Sequence, residues 1–184
     1  MEKNINHLLG LTDQLLDFRK TEESGFKLTF SKVNVSEILT NNYLYFKNAA
    51  EQKQIDFTLS LPDDPLYAYL DKDSIEKVIS NLINNAVKYA DSKISIKMQP
   101  CTIDGSPHLE IKFKNDGYLI PGHMREKVFE TFFRLKESNL SYGSGLGLSL
   151  ARSFAQLHNG TLELKEPEDE QNTFVLTLPI QQKQ

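Results

Sequence analysis

Apolar positions along the chain fall into two periods, and their order lays out the fold. Between residues 3 and 22, Leu8, Leu11, Leu15 and Phe18 recur at spacings of four, three and four, flanked by Ile5, Leu9, Thr12 and Leu16. That stripe predicts an amphipathic, coiled-coil-like helix. So short a helix is marginal by itself and needs a partner helix. TEESG interrupts the pattern, with Gly25 as the stop. Alternation from Phe26 to Val35 predicts a strand, after which Asn34 or Ser36 caps a helix carrying Ile38, Leu39, Leu44, Phe46 and Ala50. Ile55 to Leu61 alternates as a strand, and PDDP turns the chain into a short strand from Leu66 to Leu70. A helix capped by Asp73 runs to Tyr89, and strands over 93–99 and 108–114 enclose a hairpin loop at Asp104–Pro107. Short helical pieces cover 122–142, and a glycine turn opens a helix ending near His158. Strands over 160–165 and 172–179 enclose the acidic turn EPEDEQN. The result is an α+β fold, with helices on one face of a mixed, mainly antiparallel sheet.

Composition narrows the function classes. A chain of 184 residues can bury a real core, and 25% charged with 39% hydrophobic residues is ordinary for a globular protein. A net charge of −4 without a Lys/Arg cluster argues against a nucleic-acid surface. The single cysteine, Cys101, cannot form an internal disulfide, which fits a reducing cytoplasm. No apolar run reaches the roughly 20 residues that cross a bilayer, and no signal peptide is visible. Because the sequence starts inside a helical pattern, the expectation is a cytoplasmic piece of a longer protein, with membrane contact only through regions outside it.

Four segments carry candidate chemistry. In NLINNAVKY, Asn81 and Asn85 lie one turn apart on one helix face, with Lys88 three residues further on. Asparagine is a mediocre helix former, so these positions need a reason. Asn84 is expected simply to face solvent. The amide oxygen of Asn85 is a hard ligand suited to Mg²⁺, and Lys88 is a point charge suited to phosphate. In FKNDGYLIP, the side-chain oxygen of Asn115 could accept a hydrogen bond from a ligand amine, with Ile120 as an apolar wall; a plain turn at Asp116–Gly117 explains the segment equally well. In FETFFRL, the phenylalanines read as core or lid packing, and Arg134 as a surface charge or a phosphate clamp. In YGSGLGLSLA, Gly143, Gly145 and Gly147 run into a helix start, where backbone donors and the helix dipole suit an anion; a flexible loop is the alternative.

The order of these four boxes resembles the ATP-binding domain of sensor histidine kinases, within the ATPase superfamily that includes gyrase-type and MutL-type proteins. The likeness covers roughly Phe26 to Pro179, and the first helix resembles the second helix of the kinase dimerisation domain. It implies residues 1–25 as a partial dimerisation helix and 26–184 as a catalytic domain. That domain would be a two-layer α/β sandwich of Bergerat type, holding ATP and Mg²⁺ between the asparagine helix and a lid. Asn85 matches the family's Mg²⁺-binding asparagine, and Asn81 the one a turn earlier. Lys88 and Tyr89 match positions near the phosphates and the base. Asn115 stands at the usual adenine-binding aspartate, and Gly117 at the next motif glycine, while Leu119 replaces the second. Thr173 resembles the threonine that supports adenine through water, with Asn172 where glycine is common. Arg134 matches an arginine associated with the γ-phosphate, and Gly143, Gly145, Leu146 and Gly147 match the lid.

Asn81 also separates subclasses. It stands where the gyrase-type branch resembles a water-activating glutamate, and an amide cannot act as a general base. The resemblance therefore implies a histidine kinase that spares ATP for transfer, first to a histidine and then to an aspartate on a response-regulator receiver domain, with homodimerisation through the N-terminal helix. None of His7, His108, His123 or His158 has the acceptor motif, so the acceptor is expected outside this chain. An anti-sigma-type serine kinase and a degenerate interaction domain are the alternatives; the neutral Asn115 and Leu119 support the latter.

Overall fold

Two sheets of unequal size share the helices that the apolar periodicity predicts. The computed structural model describes residues 12–19, 21, 27–135, 143–167 and 169–182. A helical stretch over residues 12–19 (α1) precedes β1 (Ser31–Asn34), α2 (Val35–Gln52), β2 (Asp56–Ser60), β3 (Tyr67–Leu70) and α3 (Lys72–Tyr89). Then come β4 (Lys93–Ile103), β5 (Ser106–Asn115), two single-turn 3₁₀ helices (Gly122–Met124 and Lys127–Phe129), α4 (Gly147–Leu157), β6 (Thr161–Leu164) and β7 (Asn172–Pro179). The main sheet has the order β2-β4-β5-β7-β6; β2 and β4 are parallel and every other pair is antiparallel. β1 and β3 form a separate antiparallel pair.

The strand alternation decides which face is covered. Ile94, Ile96, Met98, Leu109, Ile111, Phe113, Phe174, Leu176 and Leu178 point to one side and are buried. Lys97, Lys112 and Lys114 occupy the intervening positions on the other side. Against the apolar face pack α3, through Ile75, Val78, Ile79, Leu82, Ile83, Ala86 and Val87, and α4, through Leu150, Ala151, Phe154 and Ala155. Each large apolar side chain buried this way stabilises the fold by about 1.5–3 kcal/mol. The two-layer α+β architecture is as the sequence predicts.

Local differences have local causes. Of the predicted strand from Phe26 to Val35, Phe26 lies outside the described residues and only Ser31–Asn34 pair as a strand, because β3 offers four partners, Tyr67 to Leu70. Asn34 is the cap of α2, accepting from the Glu37 N–H at 3.2 Å, whereas Ser36 Oγ accepts from the Leu66 N–H. Leu44, expected on the buried face of α2, is 57% exposed, since it lies off the stripe set by Ile38, Leu39 and Ala50. The cap of α3 is Asp71, not Asp73: its carboxylate accepts from the Ser74 N–H at 2.9 Å, placing Asp73 in the first turn. The β4–β5 hairpin runs further than 93–99 and 108–114, because Asp104 (φ 48°) and Gly105 (φ 74°) close it with a two-residue left-handed turn. Leu8, Leu11 and Gly25 lie outside the described residues, as does most of the predicted first helix. Within α1, Leu15 and Leu16 are exposed, while Asp17 is buried and pairs with Lys77 of α3 at 2.6 Å.

Candidate nucleotide site between α3 and the glycine lid

The buried stripe of α3 leaves its other face to polar side chains, and that face meets the start of α4. A Cβ on Gly147 would stand 3.5 Å from Oδ1 of Asn81, and one on Gly143 would stand 2.7 Å from Nζ of Lys88. Asn85 lies between these two on the same helix face, half-buried, while Asn84 is exposed as expected. Asn81, Asn85, Lys88 and the glycine turn are therefore brought together. Lys88 donates to the hydroxyl of Tyr89 at 2.9 Å and lies over its ring at 4.7 Å.

The lid side of this cleft is built to present N–H groups. Leu146, the residue preceding α4, is buried, and no side chain caps the helix. The first-turn N–H groups of a helix have no intrahelical acceptor, and the dipole is positive there. Leu146 itself donates to Ser144 Oγ at 3.1 Å, and Ser144 donates to Gln14 of α1 at 2.8 Å. Gly145 (φ 72°) is in the left-handed region. Its carbonyl accepts from the Phe132 N–H at 3.0 Å, tying the lid to the aromatic segment. Arg134 follows two residues later and is exposed; the lid between residues 136 and 142 lies outside the described residues.

At the other end of the cleft, β5 finishes in Asn115, which is directly opposite Asn172 of β7. Both are buried, at 5% and 4% exposure. Asn172 is fully engaged: Oδ1 accepts from the Ile120 N–H at 3.0 Å, and Nδ2 donates to the carbonyls of Tyr118 at 2.9 Å and Gly117 at 3.4 Å. It thereby folds the loop that carries Ile120. The Asn115 side chain makes no hydrogen bond among the described residues. Gly117 lies hard against the end of α3, for a Cβ there would stand 1.8 Å from the Tyr89 carbonyl oxygen. Asp116 secures the same junction, accepting from the N–H groups of Asp91, Ser92 and Lys93 and from the Ser92 hydroxyl. Burial pushes the Asp116 carboxyl up, but these donors outweigh it and hold its pKa below the ordinary value.

Thr173 is not brought to Asn115. Its cross-strand partner is Lys114, on the lysine-bearing face of the sheet, and directly opposed residues share a face. Its hydroxyl is buried there without a partner among the described residues. The residue that shares Asn115's face is Asn172, whose structural role the sequence reading missed. The signal was available: Asn172, Phe174, Leu176 and Leu178 alternate onto the core face, so a polar residue at the first of these positions needs partners.

The histidines divide by setting. His108 is on β5, with Nδ1 bonded to the Ser106 carbonyl, and His123 is in the first 3₁₀ helix. His158 is wholly buried. Among the described residues, no group of three or more His, Cys, Asp or Glu side chains could hold a metal ion. The chemistry of the cleft is instead that of an anion cradle with amide oxygens beside it. That donor set fits a polyphosphate with a hard divalent cation.

Histidine kinase P4 of Formosa agariphila is 32% identical over 98% of this chain, and sensor histidine kinase WalK of Bacillus subtilis is 27% identical over 100% of it. This chain spans only 13% and 30% of those two proteins. The nucleotide-free catalytic domain of histidine kinase ThkA superposes with a TM-score of 0.73 at 25% identity, covering 84% of this chain and 97% of that one. Full-length ShkA, solved in complex with AMPPNP, shares the fold with a TM-score of 0.80 at 20% identity, over 98% of this chain and 37% of that one. The profile of the histidine kinase-, DNA gyrase B- and HSP90-like ATPases matches residues 70–182, the span that holds α3, the Asn115 loop and the lid. The chain therefore belongs to that ATPase family and carries its histidine kinase-type catalytic domain.

Proposed function

We propose that this chain binds ATP with Mg²⁺ in the cleft between α3 and the glycine turn, and serves as the phosphoryl-donating part of a two-component sensor histidine kinase. The observation that carries the reading is the seating of Lys88 Nζ against Gly143 and of Asn81 against Gly147. It sets a cation and an amide beside N–H donors at a helix start, which is the chemistry a triphosphate needs. Asn85, between them, would supply an oxygen to Mg²⁺, and Arg134 would neutralise charge at the γ-phosphate. Tyr89, Asn115, Gly117 and Ile120 form the end that takes the base. Transfer breaks the bond between the γ-phosphorus and the bridging oxygen, leaving ADP, and joins the phosphoryl group to an imidazole nitrogen.

The acceptor histidine would belong to a segment outside this chain, since none of His7, His108, His123 or His158 has the acceptor motif and His158 is buried. Residues 1–25 are the end of the dimerisation domain and 26–184 the catalytic domain. Exposed Leu15 and Leu16 on α1 support pairing with a second copy in the complete protein. A response-regulator receiver domain takes the phosphoryl group next, in the cytoplasm. No described helix is long and apolar enough to cross a membrane. The test is a thermal-shift titration with Mg·ATP. Ligand present at 100-fold its Kd stabilises the fold by about 2.7 kcal/mol, and Asn85→Ala should abolish the Mg²⁺-dependent part. Absence of any shift in the unsubstituted chain would sink the reading.

A further inference from the structure

We infer that Asn115 makes this site indifferent to which purine it takes, so that guanosine triphosphate is bound alongside ATP. The inference rests on the nucleotide site proposed above and concerns its base end. Asn115 is buried at the end of β5, and its amide has no hydrogen-bond partner among the described residues. Nothing therefore fixes which way round the amide lies. Its neighbour across the sheet, Asn172, is held by Ile120, Tyr118 and Gly117 and keeps the surrounding loop in shape whichever base is present. The one carboxylate of the loop, Asp116, is committed to the turn at Asp91–Lys93.

The edge of the base is thus read by an amide, which offers one acceptor oxygen and one donor nitrogen side by side. Adenine presents a donor at the 6-amino group and an acceptor at N1. Guanine presents the reverse, an acceptor at O6 and a donor at N1–H. With Oδ1 toward position 6, Asn115 matches adenine; turned by half a revolution, with Nδ2 toward position 6, it matches guanine. A carboxylate here would accept only, so with either base one of its oxygens would meet a donor and the other an acceptor. The residue that admits both bases is therefore Asn115.

The test is isothermal titration of this chain with Mg²⁺ and non-hydrolysable ATP and GTP analogues, for the unsubstituted chain, Asn115→Asp and Asn115→Ala. Because both bases find a full set of partners, their Kd values should agree within about fivefold, the worth of one ordinary hydrogen bond. Asn115→Asp should weaken both analogues by about tenfold or more, since it leaves each base one buried mismatched pair, a cost of over 1.4 kcal/mol. Asn115→Ala should weaken both analogues. Binding of the adenine analogue alone by the unsubstituted chain overturns the inference and leaves the ATP site standing. Unchanged affinities for both analogues in Asn115→Asp overturn it too, by removing Asn115 from the base edge. Binding of neither analogue overturns the nucleotide site itself.

Discussion

The Asp71 N–H donates to Nε2 of His158 at 3.0 Å, joining the N-terminal cap of α3 to the C-terminal cap of α4. Nδ1 lies 2.7 Å from the Phe154 carbonyl, which can only accept. The ring is therefore neutral, with its proton on Nδ1. One buried imidazole thus ties α3, which carries Asn81 and Lys88, to α4, which follows the glycine turn of the proposed site.

That arrangement sets a pH dependence. Burial pushes the His158 pKa below the ordinary 6.5, outweighing the Phe154 carbonyl and the Asp71 carboxylate, which favour the charged ring. The unfolded chain then binds the proton more readily than the folded one. Stability from the neutral ring is complete above about pH 6.5 and is lost as pH falls below that value and through the folded pKa. Urea unfolding should therefore show a smaller stability contribution from this group at pH 5.5 than at pH 7.5. His158→Phe should lower stability at pH 7.5 and reduce the difference between the two pH values; an undiminished difference would assign it to other groups.

Gly117 is a position of close approach. An alanine Cβ 1.8 Å from the Tyr89 carbonyl oxygen cannot be accommodated by a side-chain rotation, because the obstacle is backbone at the end of α3. Gly117→Ala should cost about 1–3 kcal/mol, in the range of overpacked cores. Chemical denaturation measures it, and a loss under 0.5 kcal/mol (about the size of a neutral surface change) would contradict the geometry.

Asn172 and Thr173 are adjacent in sequence and opposite in consequence. Asn172→Ala removes the hydrogen bonds that fold the Tyr118–Ile120 turn and should cost about 1–3 kcal/mol while weakening nucleotide binding. Thr173→Val removes a buried hydroxyl that has no partner among the described residues, so stability should hold or rise and nucleotide affinity should not change. Calorimetry of the two variants distinguishes them, and a nucleotide defect in Thr173→Val would restore that residue to the base site.

Much of this was legible in the chain, for reasons that individual residues make clear. The apolar stripe of α3 and its polar remainder, Asn81, Asn85 and Lys88, follow from helical spacing, whereas the meeting of that face with the glycine turn was implied only by the family resemblance. Strand alternation likewise separates Phe113 from Lys112 and Lys114. Cap identity was harder: Asp71 and Asp73 are both acidic and two residues apart, and the choice rests on the β3 strand ending at Leu70. Register between β5 and β7 is a long-range property, so QNTF did not disclose whether Asn172 or Thr173 would oppose Asn115. Leu44 shows the converse limit, an apolar residue in an amphipathic helix whose angular position takes it away from the core.

Gly145 of the lid and Gly105 of the β4–β5 hairpin make a matched pair. Gly145 (φ 72°) and Gly105 (φ 74°) share a left-handed backbone, so alanine at either costs about 1–2 kcal/mol in conformation. Their surroundings differ. A Cβ on Gly105 meets nothing within 4 Å, whereas one on Gly145 would stand 2.7 Å from the Phe132 backbone. Gly145 is also bonded through its carbonyl to the Phe132 N–H, so displacing it moves the turn that faces Lys88. Gly105→Ala should therefore lower stability without changing nucleotide affinity. Gly145→Ala should weaken Mg·ATP binding by about tenfold, equivalent to 1.4 kcal/mol, beyond any loss of stability. Equal effects of the two substitutions on affinity, measured by titration, would mean that the glycine turn does not hold the phosphates.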